Sequence, residues 1–165
     1  MKPGFSRLAL VVAALAVSGC RQTFPDRAAR LLRNADTLLV FSLEPVAGPS
    51  DPKGFHGWPV LGQVAVDKED REEFVDAVIA GAASKDSERA LCFDPRHGIR
   101  AVSKDGSVDL VICFECSQVE VFYSGGSSDY FIPNSTLHTT LSKRLSKAGI
   151  PVAPTMSKRL KQVRR

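Results

Sequence analysis

The sequence predicts one α+β domain in which an antiparallel sheet of about five to seven strands carries helices packed on one face. Short apolar runs separated by turns rich in glycine, proline and aspartate fill the middle of the chain, and segments with helical apolar spacing flank them. A length of 165 residues suits a single core. The composition, 44% hydrophobic and 24% charged, excludes wholesale disorder and fibrous classes.

Apolar spacing and end signals predict three helices. Pro25 suits the first turn of the first helix, Asp67 is the expected N-cap of the second, and Gly81 and Gly149 stop the second and third. In the third, leucines recur every four residues, which places them on one face. The predicted helices cover residues 24–35, 68–80 and 135–148.

Seven strands are predicted from runs of β-branched and aromatic residues that end at turn signals. They cover residues 37–43, 60–66, 89–93, 98–103, 108–114, 119–123 and 130–132, and a long loop joins the first two. If Asp105 and Gly106 form a two-residue hairpin turn, Gly98 lies opposite Cys113 and His97 opposite Phe114.

The first 19 residues are typical of a removable signal segment. Lys2 and Arg7 precede ten apolar residues, a run that rises only about 15 Å as a helix and is too short to span a bilayer. Residues 17–20, Val-Ser-Gly-Cys, resemble a bacterial lipobox. The resemblance implies that Cys20 carries acyl chains such as palmitate and begins the mature chain. A plain secretory signal with an incidental cysteine is the alternative.

The lipobox resemblance also implies a location. The mature protein would be tethered to the cell membrane or outer membrane and would face the periplasm or the exterior. Arg21 follows the cysteine where an aspartate would signal retention at the inner membrane, so sorting to the outer membrane is favoured if the source bacterium has two membranes. After the signal peptide at 1–19, we expect a single domain at 20–150.

The segment 151–165 is predicted to be a basic, flexible tail. From Pro133 to the end the sequence has eight bases and no Asp or Glu. Such a tail is suited to anionic lipid head groups, and nucleic acid is not an expected partner because the chain would lie outside the cytoplasm. The bases expected at the lipid surface are Lys158, Arg159, Lys161, Arg164 and Arg165.

Two cysteine-containing motifs are the most distinctive part of the chain. Residues 92–100 read CFDPRHGIR, and residues 109–116 read DLVICFEC. The pair resembles an uncharacterised family of bacterial envelope lipoproteins that carry CFxPRHGIR followed by DLVICFEC. The resemblance implies an envelope location and no particular chemistry.

The cysteine motifs allow several chemical interpretations. Cys92, His97, Cys113 and Cys116 would supply a Cys3His set for zinc. Cys113 and Cys116 alone would suit thiol redox chemistry, although they lie in a predicted strand rather than at a helix N-terminus. In an oxidising envelope, two of the three cysteines would instead form a structural disulfide and leave one buried thiol. A cysteine nucleophile, Cys92 or Cys113, with His97 as base and Glu115 as its orienting group is the remaining possibility.

Two arginines flank His97 in the first motif. Arg96 and Arg100 would recognise a carboxylate or phosphate, or they would pair with local acids such as Asp94 and Asp109. The second interpretation is favoured.

Two further histidines draw attention in the sequence. His56, beside Trp58 on the long loop, would line a pocket, or Trp58 would cap the edge of the core and leave the histidine exposed. His138 on the last helix has no predicted partner.

The function predicted from these features is that of a membrane-anchored lipoprotein acting as a non-enzymatic binding or assembly module of the envelope, with an envelope protein as partner. The sequence has no Walker loop, GxSxG or HExxH motif. The alternative is a zinc-binding or thiol-redox protein that uses Cys92, His97, Cys113 and Cys116.

Overall fold

The computed structural model describes residues 24–45, 49, 51–82 and 90–163. These residues form one six-stranded sheet with the order β2-β1-β3-β4-β5-β6, in which every neighbouring pair is antiparallel. The strands are β1 Thr37–Leu43, β2 Val60–Ala65, β3 His97–Ser103, β4 Gly106–Cys113, β5 Gln118–Tyr123 and β6 Ser128–Phe131. The helices are α1 Asp26–Arg33, α2 Arg71–Ala80, α3 Ser135–Lys147 and α4 Met156–Val163. The predicted α+β class is confirmed.

The main core lies on the sheet face that α1, α2 and α3 cover. The leucines of α3 that recur every four residues, Leu137, Leu141 and Leu145, are completely buried there. Asn134 fixes the position of α3, because its side-chain oxygen accepts a hydrogen bond from the backbone N–H of Leu137 while its amide donates to the carbonyl of Ala80 at the end of α2. The core residues that the structure describes lie between Phe24 and Ala153, so a soluble form beginning at Arg21 retains them all.

The opposite sheet face is covered by the loop that joins β1 to β2. Phe55 and Trp58 pack from this loop on Phe41, Leu43 and Val111 of the sheet. Phe55 and Phe41 stack with their ring centroids 4.4 Å apart. The predicted position of Trp58 at the edge of the core is confirmed, since only 7% of its surface is exposed.

The structure differs from the predicted strands in the segment before β3. Residue 89 lies outside the described residues, and residues 90–93 form no strand. The reason is that β3 pairs with β1 on one side and β4 on the other, which leaves it no free edge for another strand.

The predicted register of the β3–β4 hairpin is wrong by two residues. Ser103 lies opposite Gly106, so Lys104 and Asp105 form the turn. The Ser103 hydroxyl closes it by accepting a hydrogen bond from the Asp105 N–H and donating one to the Gly106 carbonyl. His97 therefore lies opposite Ile112 rather than Phe114. A shift of two residues leaves each side chain on its predicted face.

The start of α2 also differs from the prediction. The helix begins at Arg71, preceded by Asp70, and the expected cap Asp67 lies four residues earlier. The Asp70 side chain makes no cap hydrogen bond and instead accepts one at 2.7 Å from Arg144 of α3. An ion pair between two helices thus replaces a local cap.

The segment predicted as a flexible tail contains α4. Arg159 of this helix forms a 2.7 Å ion pair with Glu44 at the end of β1, and it also donates to the carbonyl of Pro154. Residues 164 and 165 lie outside the described part of the chain. Within the described ranges, no helix has the length and apolar character needed to cross a bilayer.

Candidate functional site

A cleft of about 830 Å³ opens where the start of β3 meets α3 and the segment 149–155 that follows it. This volume is in the range of clefts that hold small ligands. One wall is apolar, from Ile150 to Pro154, and the other is polar and aromatic. The side chains most relevant to binding are Arg96, His97, Phe114, His138, Ser142 and Lys158.

His97 is the buried polar group of this cleft. Its residue surface is 1% exposed, because the first residue of β3 points toward α3 on the helix side of the sheet. Its Nε2 lies 3.3 Å from the hydroxyl oxygen of Ser142, and its ring meets Phe114 and His138 edge-on at centroid distances of 5.2 and 5.6 Å. Its Nδ1 has no hydrogen-bond partner among the described residues. A buried ring nitrogen without a partner is rare, and it is a group to which a ligand could hydrogen-bond.

The surroundings of His97 keep its ring neutral. The pKa of His97 is lowered from 6.5 to about 3, mainly by burial and to a smaller extent by the neighbouring His138 and Arg96, which disfavour a second positive charge. At neutral pH the imidazole therefore offers one N–H donor and one acceptor nitrogen.

Arg96 is held in the rim of the cleft by three acceptors. It forms a 2.7 Å ion pair with Glu115, and it donates to the backbone carbonyls of Asp94 and Pro154. The predicted pairing of this arginine with a local acid is confirmed, but the acid is Glu115 rather than the side chain of Asp94. Arg96 thereby links the start of β3 to the segment that precedes α4.

A disulfide joins Cys113 to Cys116 directly behind this rim. The two residues that it encloses, Phe114 and Glu115, are the ones that contact His97 and Arg96. Both cysteines are completely buried. The cross-link thus closes a tight turn at the end of β4 and fixes one wall of the cleft.

The four predicted zinc ligands do not converge. Cys92 is a free, exposed cysteine, and Cys113 and Cys116 bond to each other. Alternation along β4 sends Cys113 to the sheet face opposite His97, which lies across from Ile112. Among the described residues, no group of three histidine, cysteine or acidic side chains is placed to hold a metal ion. The zinc site stays a prediction, as does the cysteine nucleophile.

The opposite sheet face carries a second polar cluster. Arg100 binds both carboxylate oxygens of Asp109 across the β3–β4 pair, at 2.8 and 2.6 Å, as predicted. His56 reaches Asp109 from the loop at 2.8 Å and stacks on Phe122. Burial alone would raise the pKa of Asp109, but the hydrogen bonds from Arg100 and His56 outweigh it and hold the pKa below its usual value. This cluster attaches the loop between β1 and β2 to the sheet.

Three of these placements were not predicted from local sequence patterns. They are the position of His138 beside His97, the contact of Ser142 with His97, and the contact of His56 with Asp109. The spacing of His138 and Ser142 by four residues places them one turn apart on a helix, but only the packing of α3 on β3 shows that they face His97. The contact between His56 and Asp109 joins residues 53 positions apart and leaves no local signal.

Comparison with known proteins adds little to this geometry. A crystal structure described as that of a "putative lipoprotein" from Clostridium perfringens is similar to this chain, with 16% identity and a TM-score of 0.45. The similarity covers 73% of this chain and 91% of that one. A similarity this distant says nothing about function. No protein-family model and no curated protein matches the chain, so the family resemblance stays a prediction.

The disulfide predicts a defined thiol count. A soluble form that begins at Arg21 should show one thiol per chain when denatured without reductant and three after reduction. Replacing Cys113 and Cys116 together by serine should lower the free energy of unfolding by about 2 kcal/mol, the low end for a disulfide because the loop is short. Cys92→Ser, the matched control at an exposed cysteine, should change it by less than about 0.5 kcal/mol. Three thiols with one bound zinc would contradict the disulfide and support the zinc site.

Stability should fall on acidification because of His97. His97 takes up a proton near pH 6.5 in the unfolded chain but only at about pH 3 in the folded chain. Its contribution to the free energy of unfolding is therefore fully present above pH 7 and is lost as the pH falls from 6.5 toward 3. Between pH 7 and pH 5 the loss should be roughly 2 kcal/mol in urea unfolding. His97→Gln should flatten this dependence, and His138→Gln should leave it in place. An equal slope in wild type and His97→Gln would refute the assignment.

Proposed function

We propose that this protein is a membrane-anchored envelope lipoprotein whose domain binds an amphiphilic small ligand or chain segment in the cleft beside His97. The observation that carries the proposal is the cleft itself, with a buried neutral imidazole whose Nδ1 has no partner among the described residues. An apolar wall with a few fixed polar groups is the usual composition of a ligand site.

The charges of the cleft indicate how an amphiphilic ligand would be oriented in it. The Arg96–Glu115 pair is mutually neutralised, and Lys158 adds one positive charge at the mouth. An apolar ligand body would lie along residues 150–154, and a polar or anionic head would lie toward His97 and Lys158. The site therefore favours an amphiphile with a neutral or negative head.

Binding is favoured over catalysis at the Ser142 hydroxyl because the imidazole that contacts it is a weak base. His97 is the residue that contacts the Ser142 hydroxyl, but a histidine with a pKa of about 3 is a poor general base at neutral pH. A serine nucleophile needs a base that accepts its proton as it attacks. The arrangement therefore suits hydrogen bonding to a ligand, in line with the predicted non-enzymatic role.

The proposed anchor is the lipidated Cys20, which lies outside the described residues. Only three residues separate it from Phe24, the first described residue, which is buried in the core. An extended chain of this length reaches about 14 Å, so the domain would be held close to the bilayer surface. We place it at the cell membrane or outer membrane, facing the periplasm or the exterior, where the ligand could be part of an envelope protein.

A second candidate function is thiol redox chemistry at Cys113 and Cys116. The disulfide between them favours it, and the Cys116 N–H donates to the Cys113 sulfur at 3.2 Å, a contact that would help to stabilise a thiolate. Complete burial of both cysteines opposes it, because a partner thiol must reach one sulfur to exchange. Resistance of the native disulfide to reduced thioredoxin, with cleavage only on denaturation, would exclude this function.

The cleft can be tested with 1-anilinonaphthalene-8-sulfonate, an anionic amphiphile that fluoresces in apolar sites. We expect one molecule to bind per folded chain. Ser146→Phe should weaken its binding at least tenfold, because the new ring would occupy the cleft that Ser146 lines. Fluorescence titration gives the dissociation constant, and circular dichroism checks that each variant is folded.

Thr139→Phe is the matched control for the cleft variant. Thr139 is exposed on the same helix and does not line the cleft, so the substitution adds the same ring elsewhere. The control should bind the dye with the wild-type dissociation constant. Equal binding by wild type and Ser146→Phe, or an equal loss in both variants, would show that the dye does not use the cleft.

The anchor can be tested in a bacterial host with an alkyne analogue of palmitate. The wild-type chain should incorporate the label and remain with the membrane fraction after a high-salt wash. Cys20→Ala should lose both the label and the membrane association, because no thiol remains to accept the lipid. Cys92→Ala is the control and should be labelled as wild type. Labelling of Cys20→Ala would contradict the anchor.

A further inference from the structure

The surface of α4 is unusual because it exposes apolar and basic side chains together. Met156 is 48% exposed and Leu160 is 55% exposed, and their spacing of four residues places them on one face of the helix. Arg159 is half-buried, where it meets Glu44 and Pro154. One face of α4 is therefore attached to the domain while its apolar pair faces solvent.

The bases of α4 are available to a partner. None of the ion pairs among the described residues involves Lys158 or Lys161, and both side chains are exposed. The sequence contains no Asp or Glu after Glu120 apart from Asp129, so α4 itself and α3 before it bring no acid to oppose them. Among the described residues, two acids contact α4 or the rim beside it, and both are paired: Glu44 with Arg159 and Glu115 with Arg96.

We propose that α4 docks on the surface of an anionic lipid bilayer. Leu160 and Met156 would enter the boundary between head groups and acyl chains, and Lys158 and Lys161 would meet lipid phosphates. Amphipathic helices bind membranes through this combination of apolar burial and charge attraction. The proposal goes beyond the ligand cleft, with which it shares Lys158, and does not require the lipid on Cys20, although an anchor there would keep α4 near the membrane.

The small exposed area and the charge of α4 favour a lipid surface over a protein partner. An eight-residue helix with two exposed apolar side chains offers little area for a stable protein interface, which typically buries about 800 Å² on each side. A bilayer needs no shape complementarity, and each base near its surface strengthens binding about fivefold.

The test uses the unlipidated soluble form beginning at Arg21 and sedimentation with phosphatidylcholine vesicles, with and without about one-third phosphatidylglycerol. The wild type should sediment with the anionic vesicles and remain in solution with the neutral ones. Replacing Lys158 and Lys161 by alanine should weaken partitioning roughly 30-fold. Leu160→Ser should weaken it several-fold without any change in charge.

A matched control removes the same charge elsewhere. Lys143 and Lys147 are exposed on α3, so replacing both by alanine tests net charge alone and should weaken partitioning less than threefold. An equal loss in the two lysine pairs would overturn docking through α4, as would unchanged binding of Leu160→Ser. If no vesicle retains the wild type, α4 does not dock on lipid. Dye binding in the cleft is measured separately, so either proposal can fail without the other.

Discussion

The double pairing of β3 is the constraint on which both faces of the domain depend. Strand β1 hydrogen-bonds to one edge of β3 and β4 to the other, so the register of β3 is fixed. Alternate residues of β3 must therefore point to opposite faces of the sheet. Its first residue, His97, enters the helix side under α3. The next residue, Gly98, must leave room on the other side, since a Cβ there would lie 2.7 Å from the ring of Phe55. Of these two consecutive residues, His97 thus forms part of the cleft, and Gly98 allows the covering loop to pack on the opposite face.

The disulfide extends this constraint beyond the end of the sheet. Strand β4 stops at Cys113, and β5 begins at Gln118, so four residues must reverse the chain. The Cys113–Cys116 bond closes this turn, and Ser117 completes it with a positive φ of 51°. Phe114 and Glu115 therefore have little freedom, and their contacts with His97 and Arg96 are prearranged. A site formed in this way loses less conformational entropy when a ligand binds.

Local signals were sufficient for most of the fold. Apolar periodicity predicted α3 to within one residue, β1 is as predicted, and the pairing of Arg100 with Asp109 follows from neighbouring strands. The register of the β3–β4 hairpin was not predictable from Asp105 and Gly106 alone, because the Ser103 hydroxyl decides which residues form the turn. The cleft was not predictable for a different reason. It depends on α3 returning over β3, a contact between residues 45 positions apart.

The carbonyl of Pro154 connects the cleft with α4. It accepts hydrogen bonds from Arg96, in the rim of the cleft, and from Arg159, which attaches α4 to the domain. Ser42 holds the same segment through the Pro151 carbonyl at 2.6 Å. A ligand that displaces the segment 149–155 would therefore change the attachment of α4, and lipid that shifts α4 would change the affinity of the cleft by the same coupling free energy. If the membrane and the ligand are both partners of this domain, Pro154 is the position through which each would affect the other.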